Sequence, residues 1–199
     1  MSFEVENKYR LTVAVGQVEE RVASLTGAEF EPGLVEIDQY YEHPDPAIRF
    51  RETDEAFRIR SIGNSNRLTY KGPKLDAATK TREEIEVFLE DGPDGRDRMA
   101  AMIESLRFAP VLVVRKTRRK ASFKFEGRAF EVVLDDVEGL GLFVEIETIA
   151  EQQAELDQAR DALLKLAGQL DLSEPLRRSY LGMLLEGGED EEGAGTAGA

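Results

Sequence analysis

In Phe3-Glu4-Val5-Glu6-Asn7-Lys8, near the start of the 199-residue chain, charged and uncharged positions alternate. A strand turns successive side chains to opposite faces, so Glu4, Glu6 and Lys8 fall on one side and Phe3, Val5 and Asn7 on the other. Two carboxylates beside one ammonium supply hard oxygen ligands for a divalent cation and a positive group for a phosphate. The segment therefore predicts a strand whose polar face handles metal and phosphate together.

Later segments repeat the pattern. Arg58 and Arg60 alternate with largely apolar or β-branched neighbours, as do Thr69 and Lys71, Arg82 with Glu84 and Glu86, Lys116 with Arg118 and Lys120, and Glu145 with Glu147. Any one of them fits a half-buried sheet whose polar face meets water. As a set they sort by sign, with basic groups on the middle strands and carboxylates on the first and last. A sheet curled until its ends meet would gather Glu4, Glu6, Glu145 and Glu147 opposite a basic wall, and a closed barrel of about eight strands has room inside for one small ligand. Asp135 follows in strand order as a fifth carboxylate, although with Asp136 it also suits a turn.

The expected class is α+β: a closed antiparallel barrel with flanking helices. Extended segments are expected at 3–11, 34–41, 47–52, 56–62, 66–71, 82–89, 111–120, 121–126, 128–134 and 142–148, with turn signals such as Gly63-Asn64 and Asp91-Gly92-Pro93 between them. Helical spacing predicts helices over 17–26, 95–108, 150–170 and 174–185, the last with Ser173 as cap and Pro175 in its first turn. Residues 1–186 read as one domain. The acidic, Gly- and Ala-rich stretch 187–199 lacks large apolar side chains and reads as a disordered tail.

Composition removes several classes of function. The chain has no cysteine, so neither a disulfide framework nor a thiolate nucleophile is available. A formal charge of −14 and a pI near 4.7 disfavour nucleic acid and anionic membranes as partners. Neither a membrane-spanning run nor a secretory leader is legible, which makes a cytoplasmic location the expectation. The acidity suits a salt-adapted cytoplasm or simple solubility. His43, the single histidine, sits in a loop-like Tyr-Glu-His-Pro and reads as a surface residue; Tyr40 reads as packing or as a substrate contact.

The ordered set Glu4-Val5-Glu6-Asn7-Lys8, Phe57-Arg58-Ile59-Arg60, Leu68-Thr69-Tyr70-Lys71-Gly72-Pro73-Lys74, Thr81-Arg82-Glu83-Glu84-Ile85-Glu86, Val114-Arg115-Lys116-Thr117-Arg118, Leu134-Asp135 and Phe143-Val144-Glu145-Ile146-Glu147 resembles the CYTH superfamily of triphosphate tunnel metalloenzymes. The stretches from Leu68 and Thr81, with Arg178-Ser179-Tyr180-Leu181, are most similar to its class IV adenylyl cyclase branch. The resemblance implies a tunnel that binds ATP or another triphosphate with Mg²⁺ or Mn²⁺ and converts ATP to 3′,5′-cyclic AMP and pyrophosphate. It implies metal ligands Glu4, Glu6, Asp135, Glu145 and Glu147. It places Lys8, Arg58, Arg60, Lys71, Arg82, Lys116 and Arg118 on the phosphates, with Glu6, Lys116 and Arg118 carrying the chemistry. It is compatible with a homodimer. A triphosphatase acting on inorganic, nucleoside or thiamine triphosphate, and a non-catalytic polyphosphate- or nucleotide-binding module, are the alternatives.

Overall fold

A computed structural model of the protein describes residues 3–53, 55–73 and 82–194. Eight strands form one antiparallel sheet: β1 (Phe3–Arg10), β2 (Leu34–Glu42), β3 (Ala56–Ile62), β4 (Ser65–Lys71), β5 (Glu84–Phe88), β6 (Ala109–Phe125), β7 (Arg128–Val137) and β8 (Gly141–Ala150). Their spatial order is β1-β8-β7-β6-β2-β3-β4-β5. The edge strands β1 and β5 therefore come from far apart in the sheet. They approach at an isolated bridge between Glu4 and Arg82 and through the Lys71–Glu4 ion pair at 2.6 Å. No continuous ladder joins them among the described residues, over which the sheet is a curled half-barrel.

The curl is inside out relative to an ordinary sheet. Its outer face is apolar and lies under helices, where Val5, Tyr9, Val132, Ile146 and Val144 pack with Val18 and Val22 of α1 (Val15–Thr26) and with Leu163 and Leu166 of α4 (Leu156–Gln169). Burying each such side chain contributes about 1.5–3 kcal/mol, enough to hold a sheet whose other face is charged. On the far side, α3 (Gly92–Ser105) covers β3 and β4, with Ile103 seated against Ile59 and Tyr41. The last helix, α5 (Tyr180–Ala194), lies against the mouth of the curl.

Several boundaries differ from the sequence expectations. Segment 47–52 is not a strand: it turns into the short helix α2 (Phe50–Thr53). Pro44 and Pro46 lack ladder donors, the Ala47 amide donates to Asp45 Oδ1 at 2.9 Å, and the Phe50 amide donates to Glu42 Oε1 at 2.9 Å. Local side-chain acceptors thus take the amides that a ladder would need. Segments 111–120 and 121–126 are a single strand of 17 residues, since no turn former separates Lys120 from Ala121. Ala150 pairs with Phe3 and ends β8, so the following helix begins only after the 3-10 turn Gln153–Glu155. The expected start at Ser173 also fails. Glu174 adopts φ 62°, and the Leu176 amide donates to Lys8 O at 2.7 Å on the free edge of β1. Ser179 takes the capping role instead, its Oγ accepting the Gly182 amide at 3.0 Å. Helical backbone is assigned over 187–194 of the expected tail 187–199, whose remaining residues, 195–199, lie outside the described residues.

Candidate functional site

Strand register decides which charges meet. Residues directly opposite on one face of an antiparallel pair have Cβ atoms about 5 Å apart, so their charges interact strongly. Across β2 and β3, Asp38 stands opposite Arg60 and Tyr40 opposite Arg58. Glu36 faces Lys116 on β6, and Arg118 faces Asp135 on β7. Lys8 stands opposite Glu145 across β1 and β8. Each of these pairs is complementary or neutral. Glu6 opposite Glu147 is by contrast a like-charge pair in register, as are Glu131 opposite Glu147 and Arg60 opposite Arg67.

These side chains surround a cavity of about 600 Å³ enclosed by the curl. Of the twelve residues singled out from the sequence, all but Asp135 line it. The acids divide into two groups. Glu4, Glu6 and Glu147 converge, offering one oxygen each within 4.8 Å of one another. Burial and then the neighbouring Glu4 push the Glu147 carboxyl well above its usual range. Burial likewise raises Glu4 to about 7, against the opposing pull of Lys71. Such a cluster is costly in the absence of a cation, and its all-oxygen donor set suits a hard divalent ion. Among the described residues, these three carboxylates lie close enough together to hold one.

Asp135 and Glu145 are engaged elsewhere. Asp135 takes a two-pronged contact from Arg118, Nε at 2.7 Å and Nη2 at 2.5 Å, and accepts from the Tyr180 hydroxyl at 2.8 Å. Glu145 accepts from Arg118 and lies 3.3 Å from Lys8 Nζ. The Lys8 ammonium rests 3.4 Å from the centre of the Tyr180 ring, so the start of α5 is tied to the same network.

The opposite wall is basic. Lys71 Nζ lies between Glu4 and Glu84, 2.9 Å from the latter, while Arg82 lines the cavity where the two sheet edges approach. Arg58 donates to the Tyr40 hydroxyl at 3.0 Å, but its buried Nε has no hydrogen-bond acceptor among the described residues. That donor is available to a ligand.

Beneath this wall lie two acids that the sequence reading did not select, Glu36 and Asp38. Asp38 is 1% exposed and accepts from Arg60 at 2.7 and 2.8 Å, Lys116 at 3.2 Å and Arg58 at 3.4 Å. Burial alone would raise both acids. Arg118, Arg60 and Lys116 outweigh it at Glu36 and hold that carboxyl at about 2, and Arg58, Arg60 and Lys116 hold Asp38 well below its usual range. The signal was present: Val35-Glu36-Ile37-Asp38-Gln39-Tyr40 alternates just as the opening segment does.

Comparison with known proteins agrees with this geometry. PH1819 of Pyrococcus horikoshii, a solved structure, superposes with a TM-score of 0.77 at 39% identity, over 92% of this chain and 99% of that one, so the fold is shared nearly end to end. MJ0240 of Methanocaldococcus jannaschii, provisionally named an adenylate cyclase, is 40% identical over 134 residues, 66% of this chain and 72% of that protein. The adenylate cyclase CyaB of Aeromonas hydrophila is 29% identical over 171 residues, 86% of this chain and 82% of its own length. The CYTH domain matches residues 2–180, nearly the whole chain, and the protein belongs to the CYTH family.

Proposed function

We propose that the protein is a metal-dependent enzyme acting on a triphosphate, and specifically an adenylyl cyclase that converts ATP to 3′,5′-cyclic AMP and pyrophosphate. The observation that carries the reading is the division of one cavity into three converging carboxylates, Glu4, Glu6 and Glu147, and a facing wall of Arg58, Arg60, Lys71, Lys116 and Arg118. A polyanion bridged by a cation satisfies both halves; a simple anion satisfies one. The cyclase names of MJ0240 and CyaB support the choice of reaction.

Mg²⁺ or Mn²⁺ held by Glu4, Glu6 and Glu147 would supply Lewis acidity toward a hydroxyl and screen phosphate charge. The chain's own groups do the rest. Arg58, with its unmatched Nε, and Arg60 grip the phosphate chain, Lys8, Lys71 and Arg82 close around it, and Lys116 and Arg118 stabilise negative charge on departing pyrophosphate. In the reaction the ribose 3′-hydroxyl gives up its proton to water as its oxygen bonds to the α-phosphorus, the bond from the α-phosphorus to the α–β bridging oxygen breaks, and pyrophosphate leaves with that electron pair. Asp135 and Glu145 orient Arg118 rather than bind the ion. A bound polyanion would also draw the Glu4 and Arg82 edges together, completing the barrel.

Incubation with ATP and Mg²⁺ or Mn²⁺, followed by separation of the products, tests the reaction. Cyclic AMP with an equal amount of pyrophosphate is expected. Orthophosphate with ADP, or cleavage of inorganic tripolyphosphate or thiamine triphosphate without cyclic AMP, would replace the cyclase with a hydrolase using the same cavity.

A further inference from the structure

Glu36 and Asp38 present a physical problem for a phosphate site. Both point into the wall that must attract a polyanion, both stay ionised, and both are nearly sealed from water at 3% and 1% exposure. Arg58, Arg60 and Lys116 with these two acids carry a single net positive charge among five ionised groups. A wall selected only for affinity would omit the acids.

Their positions explain their presence. On β2, between the strands that carry the cations, Asp38 bonds to all three of Arg58, Arg60 and Lys116, and Glu36 lies 2.9 Å from Lys116 and 3.4 Å from Arg60. Three buried cations side by side repel one another and would swing apart or toward solvent. A shared central carboxylate fixes their spacing before any ligand arrives. Glu36 Oε2 is the atom that meets both Lys116 and Arg60, so it acts on the two cations through its charge. Among the described residues the acids leave Arg58 Nε without an acceptor.

We infer that Asp38 and Glu36 are positioning residues, which hold Arg58, Arg60 and Lys116 in register for the reacting phosphates at the expense of affinity for the resting polyanion. The inference rests on the reading of the cavity as a phosphate site. It makes a prediction opposite in sign to a purely structural role. Preorganised charge accelerates reaction without tightening ground-state binding, so removing an anion should strengthen binding and slow turnover together.

Calorimetry with inorganic tripolyphosphate in the absence of metal, on the parent protein, Asp38→Asn and Glu36→Gln, reads the first half. Each variant should bind roughly tenfold more tightly, as loss of one like charge within the wall implies. In the metal-supported assay each should show a lower KM and a kcat reduced by about tenfold or more. Circular dichroism and thermal melting establish that the variants are folded, and Glu36→Gln carries the test where Asp38→Asn does not fold. Unchanged or weaker tripolyphosphate binding by a folded variant overturns the inference while leaving the phosphate site intact. Failure of both variants to fold makes the pair structural and also overturns it. A parent protein that binds no tripolyphosphate removes the site itself, and the inference with it.

Discussion

Arg58 and Glu147 illustrate how one cavity makes opposite demands on single residues. Arg58 is held by Asp38 and Tyr40 yet keeps a donor in reserve, so Arg58→Ala should weaken triphosphate binding by about 2–2.7 kcal/mol, some thirty- to hundredfold, with folding intact. Titration calorimetry measures it, and unchanged affinity would place the ligand elsewhere. Glu147 is stacked in register against Glu6 with its carboxyl forced upward. Glu147→Gln should therefore stabilise the metal-free protein by about 1–2 kcal/mol at pH 8 while abolishing metal-dependent turnover. A urea titration beside an activity assay checks both halves; a destabilised variant would contradict the like-charge account. At this scale the sequence announced most of the charges but not their partners. Alternation fixes which face a side chain takes, whereas the pairing of Arg118 with Asp135 and Glu145 depends on strand order and register, which no single strand encodes. Tyr180 was legible only as part of a resemblance, because its contact with Asp135 spans 45 positions of sequence.

Among the elements, strands were legible wherever charge alternated with apolar residues, as in β1, β3 and β8, because one physical cause sets both the pattern and the fold. Where local hydrogen bonds compete with the ladder, periodicity misleads: the Pro44-Asp45-Pro46 stretch and its acceptors made helix α2 from an apparent strand, and the edge-facing carbonyl of Lys8 drew Leu176 out of an apparent helix. The start of α3 depends on a comparable local detail. A Cβ on Gly95 would lie 2.1 Å from the Glu90 carbonyl oxygen, so the helix can approach the end of β5 only without a side chain there. Gly95→Ala should cost about 2–4 kcal/mol. Gly16→Ala, in the first turn of α1 with open space around the added carbon, should be neutral or slightly stabilising, by up to about 0.5 kcal/mol. Urea midpoints of the two variants separate the cases; equal midpoints would show that α3 can shift to admit the methyl.

For the molecule as a whole, the two acid groups of the cavity impose opposite pH dependences on stability. Glu36 is ordinary at 4.5 when unfolded and about 2 when folded, so its contribution is present above pH 4.5 and is lost as pH falls from there toward 2. The shift corresponds to roughly 3 kcal/mol. Glu4 runs the other way. Its folded value of about 7 exceeds 4.5, so the folded state binds the extra proton and the metal-free protein loses stability as pH rises from 4.5 through 7. Glu147 reinforces that limb, and the net charge of −14 adds general repulsion in the same direction. The metal-free melting temperature should accordingly peak near pH 5 and fall on both sides. A divalent cation reverses only the alkaline limb, because it binds the ionised cluster and must displace the proton below pH 7. Saturating Mn²⁺ should therefore raise the melting temperature by several degrees at pH 8 and hardly at pH 5, and Glu147→Gln should remove that increment while leaving the acid limb in place. Thermal melts across pH, with and without the ion, decide it. An equal rise at both pH values, or one that survives in the variant, would mean that the cation binds the acidic surface and not Glu4, Glu6 and Glu147.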